Sequence, residues 1–211
     1  EPVTFVPLME ETGMIRAFGN GLFMETVRQA AKWRASRPDF CISLNLSPVQ
    51  FTEGGIAVDE WMACLEELSL PPQSVVIEIT EQLLAGTDAS VVRQLDALHR
   101  RGVRVAIDDF GTGYSSLASL KKFSPDYMKI DRTFIRNLTA GDEDRTLCET
   151  MIMMAHKLDI AVVAEGVETP EQWRILSSLG CDYAQGYYIS EPVEKASFGK
   201  LLAVKGCTVM A

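Results

Sequence analysis

The sequence predicts an α/β fold in which parallel strands alternate with helices, as a (β/α) barrel of the TIM type. Short runs of β-branched and aliphatic residues alternate with amphipathic helical segments along all 211 residues. No linker, composition shift or low-complexity tract interrupts this alternation, so we expect a single domain over residues 1–211. A dinucleotide-binding sheet would have a glycine-rich turn after its first strand. Asn45-Leu46-Ser47-Pro48 offers none, which favours the barrel.

The predicted elements follow this alternation in order. Two helices come first, at 5–15 and 21–37, with Gly13 near the end of the first and Pro38 after the second. The predicted strands lie at 41–47, 75–80, 104–109, 127–131, 161–167 and 183–189. The helices after them are predicted at 56–69, 89–101, 116–123, 143–158, 170–179 and 195–203. These are six β-α units, two fewer than a complete barrel contains.

Composition narrows the class of protein. The net charge of −9 argues against binding a DNA or RNA polymer, because such proteins carry basic stripes that follow the phosphates. Five cysteines without C-x-x-C spacing indicate neither a disulfide framework nor a zinc site and favour a reducing, cytoplasmic location. Cys41 and Cys148 are expected to be buried. No apolar run reaches the roughly 18 residues of a membrane-spanning helix, and the start at Glu1 without methionine suggests a fragment or a processed chain.

Side-chain alternation predicts which strand residues face the inside of the barrel. Alternate residues of a strand face the same side, and one parity is apolar, as at Ile77 and Ile79. The other parity places a polar or ionisable side chain near the carboxyl end of each strand. The predicted inward pairs are Ser43 and Asn45, Val76 and Glu78, Ala106 and Asp108, Tyr127 and Lys129, Val163 and Glu165, and Tyr183 and Gln185. Active sites of such barrels are built at that end.

The residue types at the strand ends indicate a hard metal ion. The candidate ligands are Asn45, Glu78, Asp108, Asp109 and Glu165. Oxygen ligands suit Mg²⁺, Mn²⁺ or Ca²⁺ and disfavour zinc or copper. Four crowded carboxylates repel one another unless cations neutralise them or some stay protonated. A pair of metal ions is therefore plausible here, and metal pairs commonly serve phosphodiester hydrolysis.

Each candidate also has an ordinary structural interpretation as a turn, loop or helix-cap residue. Such interpretations apply to Asn45, Glu78, Glu81, Asp131, Gly111 and Gly113. His99 and His156 lie in helical segments and are expected at the surface or its boundary. The shared parity of six strand ends outweighs these separate alternatives and predicts a site.

Several segments resemble motifs of the EAL domain family and occur in the family's order. They are Asn45-Leu46-Ser47-Pro48-Val49-Gln50, Glu78-Ile79-Thr80-Glu81, Asp108-Asp109-Phe110-Gly111-Thr112-Gly113-Tyr114-Ser115-Ser116-Leu117, Lys129-Ile130-Asp131, Ala164-Glu165-Gly166-Val167-Glu168-Thr169 and Gln185-Gly186-Tyr187-Tyr188. Their combination is highly specific and covers nearly the whole chain. The resemblance implies a modified (β/α) barrel with one antiparallel strand. It also implies a bacterial signalling phosphodiesterase that opens the second messenger cyclic di-GMP to linear pGpG with Mg²⁺ or Mn²⁺.

The resemblance further implies roles for single residues. Asn45, Glu78 and Asp108 look like ligands of a first metal, and Asp109 looks like a ligand of a second. Lys129 is similar to the residue that orients the attacking water, and Glu165 to a general base or a metal ligand through water. The other matches resemble substrate-binding or loop residues: Gln185, Glu81, Gly111, Thr112, Gly113 and Glu168. Among these, Glu81 and the loop at 109–117 resemble the pair that couples metal binding to substrate binding and dimerisation.

One family motif has no match in the chain. Glu-Ala-Leu lies in the family on a strand before the segment that resembles residues 5–13, and the 211 residues contain no such tripeptide. The resemblance therefore implies that two strands, a metal-ligating glutamate and a phosphate-binding arginine precede Glu1 in a longer parent. We expect the 211 residues by themselves to hydrolyse cyclic di-GMP poorly or not at all, because losing one ligand weakens charge neutralisation.

Partners and alternative functions follow from the same pattern. An unclosed barrel exposes edge strands, which predicts a homodimer. Domains of this family commonly follow sensory or GGDEF modules, so the parent is expected to carry one and can be membrane-tethered through it. Two other functions stay open. One is a non-catalytic module that binds cyclic di-GMP or docks a protein; the other is a different metal-dependent barrel enzyme with enolase-like acid-base chemistry.

Overall fold

The computed structural model describes residues 2–52, 55–85, 89–113, 120, 123–139 and 141–202. Its centre is a six-stranded sheet whose strands are all parallel and lie in chain order. The strands are β1 Ile42–Asn45, β2 Val75–Thr80, β3 Arg104–Phe110, β4 Tyr127–Ile130, β5 Ala161–Glu165 and β6 Tyr183–Gln185. The sheet curls into a half-barrel, which confirms the predicted α/β class. The antiparallel strand implied by the family resemblance is not among the described strands.

The described part of the chain also contains α-helices around the sheet. They are α1 Pro2–Glu11, α2 Met14–Arg34, α3 Val58–Glu67, α4 Glu81–Ala85, α5 Ala89–Arg100, α6 Arg132–Arg136, α7 Asp142–Lys157, α8 Pro170–Ser178 and α9 Lys195–Leu202. Short 3-10 helices lie at Pro48–Phe51 and Pro72–Ser74. The predicted helix at 116–123 falls outside the described residues, except Leu120 and Phe123.

The predicted start of α2 at residue 21 is wrong, because the helix begins at Met14. Glycines weaken a helix by roughly 1 kcal/mol relative to alanine, so the sequence favoured a later start. Tertiary packing explains the difference. A Cβ atom on Gly19 would lie 2.1 Å from Nε2 of Gln50, which shows that α2 passes directly against the 3-10 helix after β1. Gly19 therefore lies inside α2, where its missing side chain allows the helix to pack closely against the 3-10 helix.

The last strand is also shorter than predicted, ending at Gln185 rather than Ile189. Gly186 has a φ of +154°, and a Cβ atom there would lie 2.3 Å from the carbonyl oxygen of Val167. The chain leaves the sheet at this glycine to pack against the turn after β5. Short helices such as α4 and α6 were missed because five residues are too few to show a helical period.

The predicted side-chain alternation is confirmed by two separate apolar clusters. The larger cluster fills the space between sheet and helices and includes Ile77, Ile107 and Met128, all fully buried. The smaller one lies on the opposite face of the sheet and contains Val76, Ala106, Tyr127 and Val163. The second set is the predicted inward parity. The members of this smaller cluster precede the polar strand-end residues on the same face of the sheet. They form the bottom of the polar cluster.

Two similar histidine–aspartate contacts lie at the amino end of the sheet. On the helix before β3, His99 lies 3.6 Å from Asp126, whose carboxylate accepts the N–H of Val105. On the helix before β5, His156 lies 2.8 Å from Asp182, whose carboxylate accepts the N–H of Val162 in the same way. Both histidine side chains are about 40% exposed, 42% and 40% respectively, as expected for surface residues.

The cysteines and the helix lengths bear on the composition-based expectations. Cys41, Cys64, Cys148 and Cys181 are free thiols. Cys148 is buried as expected, but Cys41 is only half-buried because it lies beside the edge strand β1. Within the described part of the chain, no helix combines the length and apolar character needed to cross a membrane.

Candidate active site

Lys129 is the centre of the polar cluster at the carboxyl end of the sheet. Its Nζ atom lies 2.7 Å from Oε2 of Glu78, 2.9 Å from Oδ1 of Asp108 and 2.7 Å from Oε1 of Glu165. These four residues come from β2, β3, β4 and β5, so parallel pairing alone brings them together. Lys129 and Glu78 are only 5% and 6% exposed, so the cluster is largely shielded from water.

Burial and charge act in opposite directions on Lys129. Burial alone would lower the pKa of its ammonium group, but Glu78, Glu165 and Asp108 outweigh burial and raise that pKa above its usual range. Lys129 is therefore a permanent cation at any physiological pH. Three carboxylates against one ammonium leave two uncompensated negative charges when all groups are ionised, which favours uptake of a further cation or proton.

Glu165 shows this excess of negative charge. Burial raises the pKa of its carboxyl group to about 7, Lys129 lowers it, and the charges of Asp108 and Glu78 raise it. A carboxyl group that titrates near neutral pH can both accept and release a proton under physiological conditions. Glu165 therefore has the acidity expected of a general base.

Asp109 joins the cluster through an irregularity in β3. Strand alternation would place consecutive aspartates on opposite faces, but the pairing of β3 with β4 shifts register between Ile107 and Phe110. Asp109 itself has a left-handed φ of +53°. As a result, carboxylate oxygens of Asp108, Asp109 and Glu165 all lie within 4.8 Å of one another.

The sequence predicts that Asp131 pairs with Arg132 or caps the next helix, and the structure shows the cap. It caps α6 by accepting the N–H of Thr133 at 2.9 Å, as predicted. Its carboxylate also lies near that of Asp109, and this proximity raises the pKa of Asp109 and lowers that of Asp131. Burial raises the pKa of Asp109, and the charges of Asp108 and Asp131 raise it further. The sequence carried one signal, since Asp131 shares the strand parity of Lys129.

Glu81 contacts the loop after β3 through its side chain. Its buried carboxylate accepts N–H groups from Gly111 at 2.9 Å and from Gly113 at 3.1 Å. Thr112 donates its hydroxyl hydrogen to the carbonyl oxygen of Asp109 at 2.8 Å. Glu81 thus holds the first residues of this loop beside Asp109. The remainder of the matching motif, residues 114–117, lies outside the described residues.

The other predicted site residues lie at the rim of the cluster. Asn45 is opposite Glu78 in the β1–β2 register, and Gln185 is opposite Glu165 in the β5–β6 register; both side chains are exposed. Glu168 lies on the turn after β5 with its side chain exposed. Gln172, which the sequence did not single out, accepts the backbone N–H of Glu168 at 2.8 Å.

The fold and this site define a parallel α/β half-barrel with an acidic cluster around a buried lysine at its strand ends. More specifically, the chain belongs to the EAL domain family, whose model matches residues 1–192. This confirms the predicted family membership.

Two sequence relatives show how the chain compares with known proteins. It is 39% identical over 194 residues to MucR of Pseudomonas aeruginosa, named a bifunctional diguanylate cyclase/cyclic di-GMP phosphodiesterase; the match covers 91% of this chain and 28% of MucR. It is 34% identical over 205 residues to PdeG of Escherichia coli, a probable cyclic di-GMP phosphodiesterase, covering 97% of this chain and 40% of PdeG. The chain thus spans well under half the length of these relatives.

Solved structures give the same picture. The phosphodiesterase part of MucR in complex with c-di-GMP is 37% identical and superposes with a TM-score of 0.86, covering 94% of this chain and 80% of that one. The manganese and cyclic di-GMP complex of BlrP1 from Klebsiella pneumoniae is 32% identical with a TM-score of 0.73, covering 83% of this chain and 45% of BlrP1.

Proposed function

We propose that this chain is the phosphodiesterase portion of a longer bacterial signalling protein and that its site opens cyclic di-GMP to linear pGpG. One observation carries the proposal: in an EAL-family chain, three carboxylates from neighbouring strand ends surround a single buried ammonium group. Relatives named as cyclic di-GMP phosphodiesterases support the substrate.

The donor set fits Mg²⁺ or Mn²⁺. Asp108, Asp109 and Glu165 offer oxygens within 4.8 Å of one another, and the cluster carries excess negative charge. Glu78 and Asn45 would supply further oxygen ligands from the adjacent strands, which is compatible with two metal ions. When bound, such ions would screen the phosphate charge and acidify a coordinated water.

The chain's own groups would divide the remaining work. Lys129 would hold the attacking water in place and offset the phosphate charge, because its ammonium group is fixed by three contacts. Glu165 would accept the proton of that water at a carboxylate oxygen as the new P–O bond forms. The P–O3′ bond breaks and the leaving oxygen takes up a proton from solvent, which gives the free 3′-hydroxyl and the 5′-phosphate of pGpG. Gln185, Glu168 and the loop held by Glu81 would contact the substrate at the rim.

The decisive experiment follows cyclic di-GMP and pGpG by chromatography with Mn²⁺ present. Glu165→Gln and Lys129→Met should each abolish the turnover that the parent chain shows, while Glu194→Gln and Lys195→Met, at exposed positions, should not. Turnover that survives both site changes would overturn the assignment. We expect slow turnover from the 211 residues alone, because they contain no Glu-Ala-Leu segment.

Calorimetry distinguishes the enzyme from a binding module. Cyclic di-GMP binding without pGpG formation, even in a longer chain that includes Glu-Ala-Leu, would favour the non-catalytic module. We further propose a cytoplasmic homodimer joined to a sensory or GGDEF module in the parent. The bifunctional name of MucR supports such a module. Light scattering that gives a clean monomer at high concentration would contradict the dimer.

A further inference from the structure

Gln172 is a buried amide that bridges two segments of the chain. It lies near the start of α8 and is 5% exposed. Its Oε1 atom accepts the backbone N–H groups of Glu168 at 2.8 Å and Thr169 at 3.0 Å. Its Nε2 atom donates to the carbonyl oxygen of Ile135 at 3.0 Å. One side chain therefore ties the turn after β5 to the end of α6.

The turn that Gln172 holds begins directly after Glu165. Gly166 has a left-handed φ of +69°, and a Cβ atom there would lie 2.6 Å from Cβ of Arg132, the first residue of α6. On the other side, Val167 donates its N–H to the carbonyl oxygen of Gln185 at 3.0 Å. The turn is thus enclosed between α6, the end of β6 and Gln172.

The other segment begins directly after Lys129. The strand β4 ends at Ile130, Asp131 caps α6, and α6 ends at Arg136, next to the carbonyl group that Gln172 binds. Gln172 consequently links the chain segment that follows Lys129 in sequence to the segment that follows Glu165. These are the two residues whose side chains meet at 2.7 Å.

We propose that Gln172 is a positioning residue that fixes the Glu165 carboxylate relative to the Lys129 ammonium group. The inference rests on the proposed function for the importance of that contact, but not for its existence. Helix capping alone does not account for Gln172. The reciprocal bonds with Thr169 complete the cap, whereas the bond from Nε2 to Ile135 reaches a different element. Supporting hydrogen bonds of this kind commonly orient the residues that contact a metal or substrate.

Gln94 provides a matched control within the same chain. On α5, its Oε1 atom accepts the N–H of Ile56 at 2.7 Å, and its Nε2 atom donates to the carbonyl oxygen of Phe51 at 2.7 Å. It therefore makes the same kind of bridge, but to the loop after β1 instead of the turn after Glu165. Replacing either glutamine by methionine removes an amide bridge and keeps the side chain's length.

The test compares Gln172→Met with Gln94→Met by ¹⁵N NMR of the Lys129 side-chain ammonium group in metal-free protein, assigned by its loss in Lys129→Arg. A sequestered ammonium group exchanges its hydrogens with water slowly. It should therefore give a signal in the unsubstituted protein, which is the parent in this comparison. We expect Gln94→Met to keep this signal and Gln172→Met to shift or lose it. We also expect Mn²⁺ affinity, measured from the free-ion signal in electron paramagnetic resonance, to fall about tenfold only in Gln172→Met.

Several outcomes would overturn the inference: an unchanged ammonium signal in Gln172→Met, equal changes in both variants, or no ammonium signal in the parent. Should Gln172→Met fail to fold, Gln172→Glu and Gln94→Glu form a second pair, because each keeps the accepting oxygen and loses the donor. The same contrast in the ammonium signal is expected. A parent that never hydrolyses cyclic di-GMP would count against the proposed function and leave this comparison intact.

Discussion

At the carboxyl end of the sheet, one buried ammonium group contacts three carboxylates within 2.9 Å, whereas at the amino end two exposed histidines each contact one carboxylate. Charges shielded from water interact strongly, but removing them from water costs several kcal/mol per ion. Charges at the surface interact weakly with each other and lose little of their hydration, so their net effect on stability is small. We therefore expect the polar contacts at the two ends of the same strands to differ in strength.

This contrast predicts which residues are most sensitive to mutation. At the amino end, the carboxylates of Asp126 and Asp182 mainly accept strand N–H groups, and the histidines are secondary partners. At the carboxyl end, the members of the cluster depend on one another, because removal of one charge leaves its partners buried and uncompensated. Effects should thus be large at one end and small at the other.

The largest effect is expected from Lys129→Met. Three carboxylates would then remain together without their cation, which should lower the free energy of unfolding by about 3–5 kcal/mol at pH 8. The loss should shrink at pH 5, because the carboxylates can take up protons instead. Urea denaturation measures both values. Lys195→Met, at an exposed lysine 4.0 Å from Glu25, is the control and should leave the midpoint unchanged. Equal midpoints for the two variants would contradict a mutually dependent cluster.

Glu165→Gln should change how stability depends on pH in protein kept metal-free with EDTA. The folded-state pKa of about 7 exceeds the ordinary value of 4.5, so between these values the folded chain keeps a proton that the unfolded chain has lost. The parent should therefore lose stability as pH rises through this window, by on the order of 2 kcal/mol.

The glutamine variant lacks this titration, so its unfolding free energy should vary less between pH 4.5 and pH 7. Denaturation of both proteins at several pH values gives the comparison, with Glu194→Gln as an exposed control. A difference between parent and Glu165→Gln that stays constant with pH would show that burial does not raise this pKa.

Glu81→Ala tests the loop beside the cluster and should have an intermediate effect. Both N–H donors, of Gly111 and Gly113, lose their acceptor, which should cost about 1–3 kcal/mol of stability. Hydrolysis of cyclic di-GMP should fall about tenfold, since a displaced loop disturbs Asp109. Glu66→Ala, on the exposed face of α3, should change neither quantity. Identical stability and hydrolysis rates for the two variants would show that the loop does not affect the site.

The smallest effects are expected from His99→Ala and His156→Ala. Each removes one exposed contact with a carboxylate and should lower the unfolding free energy by less than about 1 kcal/mol. The double variant should be close to additive, because the two pairs share no residue. Mn²⁺ affinity should match that of the parent. A loss above about 2 kcal/mol, or weaker Mn²⁺ binding, would mean that the two ends of the sheet are coupled.

Much of the site could be predicted because it depends on simple periodicity. Alternation along each strand selected Glu78, Asp108, Lys129 and Glu165, and parallel pairing then requires that they meet. The predicted bounds of β2 match the structure. Periodicity could not place Asp109 in the cluster, because that depends on a register shift with a left-handed backbone.

Other features depend on contacts between segments distant in sequence. The path of α2 through Gly19 is set by Gln50, and the early end of β6 is set by the backbone of Val167. The electrostatic interaction between Asp131 and Asp109 follows from the end of β4 lying beside the end of β3. No local pattern encodes these distances, since each arises only when two elements are packed.

The amino-acid sequence is sufficient to predict the alternating α/β architecture, the face of each strand and the oxygen-donor character of the site. These features depend on local hydrophobicity and a two-residue period. The tertiary structure alone decided that Lys129 contacts three carboxylates at once and that Asp109 turns toward Asp108. It also placed Gln172 where it bonds to the segments that follow both Glu165 and Lys129 in sequence. These arrangements depend on which strands are neighbours and how closely helices approach, and packing of the whole chain sets both.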